Sequence, residues 1–245
     1  MQGAVVIFIR GALSFTRVWR RLNQGCGVVL GSGIALCALA TPPEPNVDRS
    51  PAPDTVATAA IEQLRLSDTL ADFGERNADP MALVEAAKIR KMLPPPLNEA
   101  SGATDETRTW KTLLVRASQL AGPNPMVAAF IADVRRLKIR NIPVISGEIK
   151  LLHKQIKQNS ADRAEVHFLA GEIAMVYIRP VAEVDLDLFV YDELNNLICT
   201  GGGAGHDSEC RWRPRHDGSF LIDVRNNNAA DVDYELAINR EIVQR

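Results

Sequence analysis

The sequence predicts an α+β chain of two domains, an N-terminal antiparallel helical bundle followed by a C-terminal antiparallel β-sandwich of jelly-roll type. Three observations carry this. Apolar residues recur at helical spacing between about Thr55 and Leu137. From about Val144 the spacing changes to two, in short runs separated by turn residues. Two steps, Asp79-Pro80 and Asn124-Pro125, stand where a helical pattern restarts, with an oxygen to cap free amides and a proline where no amide donor is missed. At 245 residues the chain has room for two small domains, and 46% apolar residues suffice for a core. Aromatic residues are only 5%, so that core must rest on Val, Ile, Leu and Ala.

Residues 1–40 read as a signal peptide. They carry Arg10, Arg17, Arg20 and Arg21 and no acid, then an apolar run from Gly25 to Leu39 that ends in Ala38-Leu39-Ala40. An uncleaved anchor is disfavoured because Asn23, Gln24 and several glycines make Leu22 to Ala40 a poor spanning helix, and Leu36 is a poor neighbour for lipid attachment at Cys37. Cleavage after Ala40 predicts a periplasmic or secreted protein with no membrane span. It leaves 24 basic residues against 30 acidic ones, a formal charge of −6 that argues against nucleic acid as a partner. Of four cysteines, Cys199 and Cys210 remain, an even pair in an oxidising compartment, which predicts a disulfide.

Residues 41–54, TPPEPNVDRSPAPD, show recurrent proline and no apolar period, and read as a disordered, extended linker. The helical domain spans 55–140. Its first helix runs from about Thr55 to Arg76 with Ile61, Leu64, Leu70 and Phe73 on one face; the second is opened by Asp79-Pro80, carries Leu83, Val84 and Ala87, and stops at Pro94-Pro95-Pro96. The third runs from about Thr104 to Ala121 through Leu113, Leu114, Ala117 and Leu120, and ends at Gly122. The fourth, opened by Asn124-Pro125, turns Val127, Phe130, Ile131, Val134 and Leu137 inward. The Asp/Asn-Pro-Met recurrence is a weak internal repeat, too short for a solenoid.

The sandwich domain spans 144–240. Ile149, Leu151 and His153 fall at a spacing of two, although Lys150 to Lys157 also fits a helix; further strands are expected near Val166 to Phe168, Ala174 to Ile178, Val184 to Tyr191, Asn196 to Cys199, Glu209 to Arg213, Phe220 to Arg225 and Val232 to Ile238. Val184, Leu186, Leu188 and Val190 share the core face, with Asp185, Asp187, Phe189 and Tyr191 outward; Phe220, Ile222 and Val224 are the inward set of a later strand.

Several short motifs here, in order, resemble the bacterial pre-peptidase C-terminal domain. They are Gly171-Glu172, the run Asp185 to Asp192, the pair Cys199 and Cys210, Trp212-Arg213-Pro214, Gly218-Ser219-Phe220 and Tyr234-Glu235-Leu236. The likeness covers about Val144 to Asn239. It implies a non-catalytic β-sandwich module of exported proteins, serving secretion, folding or adhesion. The chain departs from the pattern at Arg179 to Glu183, where relatives carry a Gly-Asp-rich turn, so fewer carboxylates are on hand for calcium.

Candidate sites are few. Asp185 and Asp187, two apart on a strand, are a possible calcium pair with Asp192, Asp207 or Asp217, against the plainer reading of a solvated face. Cys199, His206, Cys210 and His216 fit no common zinc spacing. The glycine-rich stretch Gly201, Gly202, Gly203, Ala204, Gly205, with His206, Asp207 and Trp212, lacks the Lys-Ser/Thr of a phosphate loop and is the expected binding loop, although Trp212 alone reads more readily as a packing residue. No nucleophile elbow or metalloprotease helix occurs. The expected function is non-catalytic binding of a protein or glycan partner in the envelope or outside the cell, without a cofactor other than calcium. The alternatives are a small hydrolase, or an accessory subunit of a secreted peptidase, with its site between the domains, and a calcium-stabilised adhesion module.

Overall fold

Four helices and eight strands follow one another in the computed structural model, which describes residues 43–51, 54–93, 108–138, 149–201 and 207–239. The signal-peptide reading lies outside the described residues. Helix α1 (Val56–Arg76) starts at Thr55, whose hydroxyl accepts from the Thr58 amide while the Thr58 side chain accepts from the Thr55 amide. Helix α2 (Pro80–Met92) and helix α4 (Pro125–Arg136) start as the sequence predicts, Asp79 accepting from the amides of Met81 and Ala82 and Asn124 from those of Met126 and Val127. Helix α3 (Trp110–Ala121) begins later than expected, because Thr109 and Thr112 form a capping box there; Gly122 closes it at φ 56°.

The helices share a core in which Leu83, Val84 and Ala87 meet Leu113, Leu114 and Ala117 of α3 and Val127, Ile131 and Val134 of α4. The Lys91 ammonium donates to the carbonyls of Val134 and Arg135 at 2.7 and 2.8 Å, closing the end of α4, and lies 4.4 Å from the centre of the Trp110 ring. Two inward expectations fail. Phe73 and Phe130 are exposed, and the buried stripe of α1 instead runs through Ala60, Ile61, Leu64, Asp68 and Ala71. For Phe73 the reason lies in what α1 covers: one side faces α2 and the other a sheet.

Strands β1 (Lys150–Ile156), β2 (Ser160–Phe168), β3 (Ala174–Pro180), β4 (Asp187–Tyr191), β5 (Leu197–Gly201), β6 (Ser208–Trp212), β7 (Gly218–Asn226) and β8 (Val232–Ile238) form two antiparallel sheets ordered β1-β8-β3-β6 and β2-β7-β4-β5. This is the strand order of a jelly roll. Leu186, Leu188, Val190, Phe220, Ile222 and Val224 fill the space between the sheets together with Val176, Ile178, Tyr234 and Leu236, as the alternation predicts. The ambiguous stretch near Lys150 is strand, since its partner β8 runs opposite it from Lys150–Ile238 to Ile156–Val232.

Three strands of one sheet are covered on both faces. Ala60, Ile61 and Leu64 of α1 lie on Leu151, Met175, Tyr177 and Ala237, the outward residues of β1-β8-β3. That is why β3 reads Ala-Met-Val-Tyr-Ile without polar alternation. Residues from Pro42 onward form one compact unit.

The described part of the segment expected to be a disordered linker, residues 43–51, is anchored. Asn46 is 2% exposed, Val47 packs against the sandwich core, and the Asp48 amide donates to the Arg213 carbonyl at 2.7 Å. Composition alone predicted disorder; the contacts that overrule it come from turns about 150 residues further on.

Candidate functional site

The densest group of ionisable side chains sits where α1 and α2 meet the outer face of β1-β8-β3. Antiparallel register sets Glu235 opposite His153 on one side and opposite Arg179 on the other, so three strands contribute a row. Asp68 and Asp72, one turn apart on α1, and Arg90 of α2 face this row from above. Arg90 bridges the two layers. It donates to Glu235 at 2.7 and 3.3 Å and to Asp68 at 2.9 Å. Tyr177 donates its hydroxyl to the other Asp68 oxygen at 3.0 Å, and His153 Nε2 lies 3.2 Å from Glu235. Asp72 accepts from Arg108 at 2.7 Å and from Arg179 at 2.9 Å.

Three carboxylates thus meet three guanidinium groups, and most of them are shut from water. Side-chain exposure is 3% for Asp68, 4% for Glu235 and 5% for Arg90, rising to 32% at Asp72, where the cluster reaches the surface. Burial opposes ionisation of Glu235, but Arg90 and His153 outweigh it and hold its carboxyl below the ordinary range. Burial likewise opposes Asp72, and Arg108 and Arg179 prevail. For Asp68 burial wins and the carboxyl is pushed upward, although Arg90, Arg179 and Arg108 pull the other way. Burial, with Asp68 alongside, raises Tyr177 and keeps its phenol a donor. Arranged so, the groups neutralise one another and bolt helices to sheet. A buried network of this kind costs desolvation to form and is costly to break on one side only.

This cluster was not anticipated from the sequence. A signal existed: Asp68 falls on the buried stripe of α1, four residues after Leu64 and seven after Ile61, where a carboxylate must find a partner. Nothing local could name Glu235 or Arg179 as that partner.

The residues singled out from the sequence are scattered. Cys199 of β5 and Cys210 of β6 form a disulfide with Cα atoms 5.8 Å apart, joining the edge strands of the two sheets. Gly201 lies at the end of β5 where a Cβ would come within 2.8 Å of the Glu209 carbonyl oxygen, so the two edges approach closely there. Gly202, Gly203 and His206 of the expected binding loop lie outside the described residues, while Asp207 is exposed beside them. Trp212 belongs to the core rather than to a binding loop: it is 6% exposed, with its ring 4.9 Å from Phe168 and 5.2 Å from Phe220. Inward alternation of β6 puts it there. The Asp187 carboxylate accepts from Asn227 at 2.7 Å, and the Asp185 carbonyl from Asn228 at 2.7 Å. Among the described residues no group of three or more His, Cys, Asp or Glu side chains converges on a metal position. No helix among them is long and apolar enough to cross a membrane.

No protein-family model matches the chain, and no curated protein matches it. Among solved structures, it is similar to the pre-peptidase C-terminal domain of collagenase from Bacillus anthracis, at 14% identity over 36% of this chain and 87% of that one, with a TM-score of 0.33. It is also similar to a periplasmic inhibitor of g-type lysozyme, PliG from Aeromonas hydrophila, at 15% identity over 40% of this chain and 89% of that one, with a TM-score of 0.31. Procruciferin, an 11S globulin of Brassica napus, follows at 11% identity over 40% of this chain and 22% of that one, TM-score 0.25. Likeness at these scores carries no weight for fold or function, and the sandwich rests on its own strand order.

Proposed function

We propose that this chain is an exported, non-catalytic binding protein of the cell envelope or the extracellular space. In this reading a sandwich of the pre-peptidase C-terminal kind is braced by an antiparallel helical bundle and meets a protein or glycan partner. The observation that carries the non-catalytic part is the state of the helix–sheet junction. A hydrolase site was the main alternative there, and its carboxylates are instead spent on arginines inside the molecule. A general acid or base must reach the proton it moves, and Asp68 and Glu235 reach only their own partners. Export is supported by the cysteine pair, which is joined in the way an oxidising compartment favours. Calcium-stabilised adhesion is less favoured, because Asp187 is already held by Asn227.

Two measurements test the reading. The exported protein, labelled with a thiol reagent without reduction, is expected to show no free thiol and to begin at Thr41; two reactive thiols would refute the disulfide, and a chain retained in the cytoplasm would refute export. The mature chain is then screened on glycan arrays and against envelope extracts, in parallel with peptide, ester and glycoside hydrolysis assays. Binding without turnover is expected. Turnover that disappears on Glu235→Gln would transfer the function to the hydrolase reading.

A further inference from the structure

Residues 44–50 occupy a cleft at the end of the sandwich where the β4–β5 and β6–β7 turns lie side by side. The Asn46 carboxamide is satisfied on every side. Its oxygen accepts from the amides of Arg215 and His216 at 2.9 and 3.1 Å, and its nitrogen reaches the His216 carbonyl at 3.1 Å, His216 Nδ1 at 3.2 Å and Glu193 at 3.4 Å. An amide offers two donors and an acceptor with two lone pairs, and this cleft meets both ends. The Asn46 main-chain amide donates to Asp192 at 3.0 Å. Gly218 forms the floor: a Cβ there would stand 2.9 Å from both the Asn46 nitrogen and the Glu193 carboxylate. On either side the acids are read by arginines, Glu44 by Arg215 at 2.6 Å and Asp48 by Arg213. Arg215 also donates to the Val47 carbonyl at 3.3 Å.

One wall of the cleft is held by bonds that do not involve its occupant. Asp192 holds its own turn through the amides of Leu194 and Asn196 at 3.0 and 2.8 Å and the Asn196 side chain at 2.9 Å. Arg215 and His216 present their amides from the chain between β6 and β7. The bound segment has no helix or strand of its own and shares no ladder with either sheet. It is held as a ligand is held, by one buried anchor, flanking charge pairs and main-chain bonds.

We propose that this cleft is a peptide-binding site for an extended acidic segment of a partner protein, with Asn at its centre and a carboxylate two residues to each side. The chain's own residues 44–50 fill it in cis and keep it closed. A tethered occupant acts at an effective concentration on the order of millimolar. The intact chain is therefore silent toward such peptides at micromolar concentration, and the site opens when the segment is cut or drawn away. The proposal deepens the binding reading and rests on it.

The test folds the chain first and cuts it afterwards. A site for a specific protease is inserted between Pro51 and Asp54, the purified protein is cleaved, and the freed segment is removed by dialysis. A fluorescent peptide of residues 41–51 is then titrated while anisotropy is read, and circular dichroism follows the fold. The cut protein is expected to bind saturably and the intact protein not at all at the same concentrations. The Asn46→Ala peptide should bind at least about tenfold more weakly, because it leaves the partly buried amides of Arg215 and His216 and the His216 carbonyl without their partner. Equal binding of the two peptides, no binding by a folded cut protein, or loss of the fold on cutting would each overturn the proposal; the last would make the segment part of the fold instead of a ligand. A partner captured equally by cut and intact protein would leave the wider binding reading standing and remove this site.

Discussion

Replacing Arg90 by methionine tests the buried network most directly. Methionine has nearly the length of arginine and no charge, so the change removes the bridge between α2, α1 and β8 with little loss of volume. Two carboxylates stay behind. Asp68 keeps the Tyr177 hydroxyl at 3.0 Å, with Arg108 and Arg179 at 3.5 and 3.7 Å. Glu235 keeps His153 at 3.2 Å but loses both arginine bonds. Breaking one side of a buried pair costs about 3–5 kcal/mol. The remaining arginines near Asp68 place the expectation at the lower end, about 3 kcal/mol. With a urea slope of about 2 kcal/mol/M, the midpoint should fall by about 1.5 M. Against a total stability of about 5–15 kcal/mol that is a large share. The assay is urea unfolding followed by far-ultraviolet circular dichroism, with the slope checked for constancy. The triple change Arg90→Met, Asp68→Asn, Glu235→Gln should recover most of the loss, since it removes the stranded charges together. A loss under about 1 kcal/mol for Arg90→Met, the size of a surface pair, would refute the sealed network.

Three further outcomes follow from the geometry. The double change Cys199→Ala, Cys210→Ala should lower stability by about 3 kcal/mol, and a reducing agent should destabilise the parent protein but not this variant. Trp212→Ala should cost about 3–5 kcal/mol by emptying the space against Phe168 and Phe220; a change near zero in thermal melting would place the ring outside the core. Burial opposes ionisation of Asp192, yet the bonds from Asn196, Asn46 and Leu194 hold its carboxyl below the 3.8 of a free aspartate. A carboxyl lowered in the folded state adds stability above its unfolded value, and that stability drains away as pH falls through the lower folded one. Melting followed downward from neutral pH should therefore show an acid-side loss that begins near pH 3.8 and is smaller in Asp192→Asn.

The legible parts of this chain were those decided within a few residues. Asp79-Pro80 and Asn124-Pro125 start helices because a side-chain oxygen two or three residues away satisfies free amides, which needs no tertiary partner. The Val184–Val190 alternation put Leu186, Leu188 and Val190 in the core for the same local reason: successive strand side chains point to opposite faces. Helical periodicity misplaced Phe73 and Phe130, since spacing gives a stripe but not its width or what it faces. Nothing in the strand pattern marked Glu235 and Arg179 as buried, because an α1 lying across the outer sheet has no signature in the strands it covers.

By itself, then, the sequence determined the order of helices and strands, the inward face of most strands and the identity of the cysteine pair, all set by local periodicity, caps and count. Tertiary structure alone decided that β1-β8-β3 would be covered on its outer face as well and that Arg90 would bridge Asp68 and Glu235. It also turned a proline-rich stretch into an anchored one through Asn46. The physical reason is common to all three. Each depends on groups far apart in sequence meeting, apolar side chains in the first case and polar ones in the other two, and such meetings are fixed by strand register and layer packing, not by the composition of either segment.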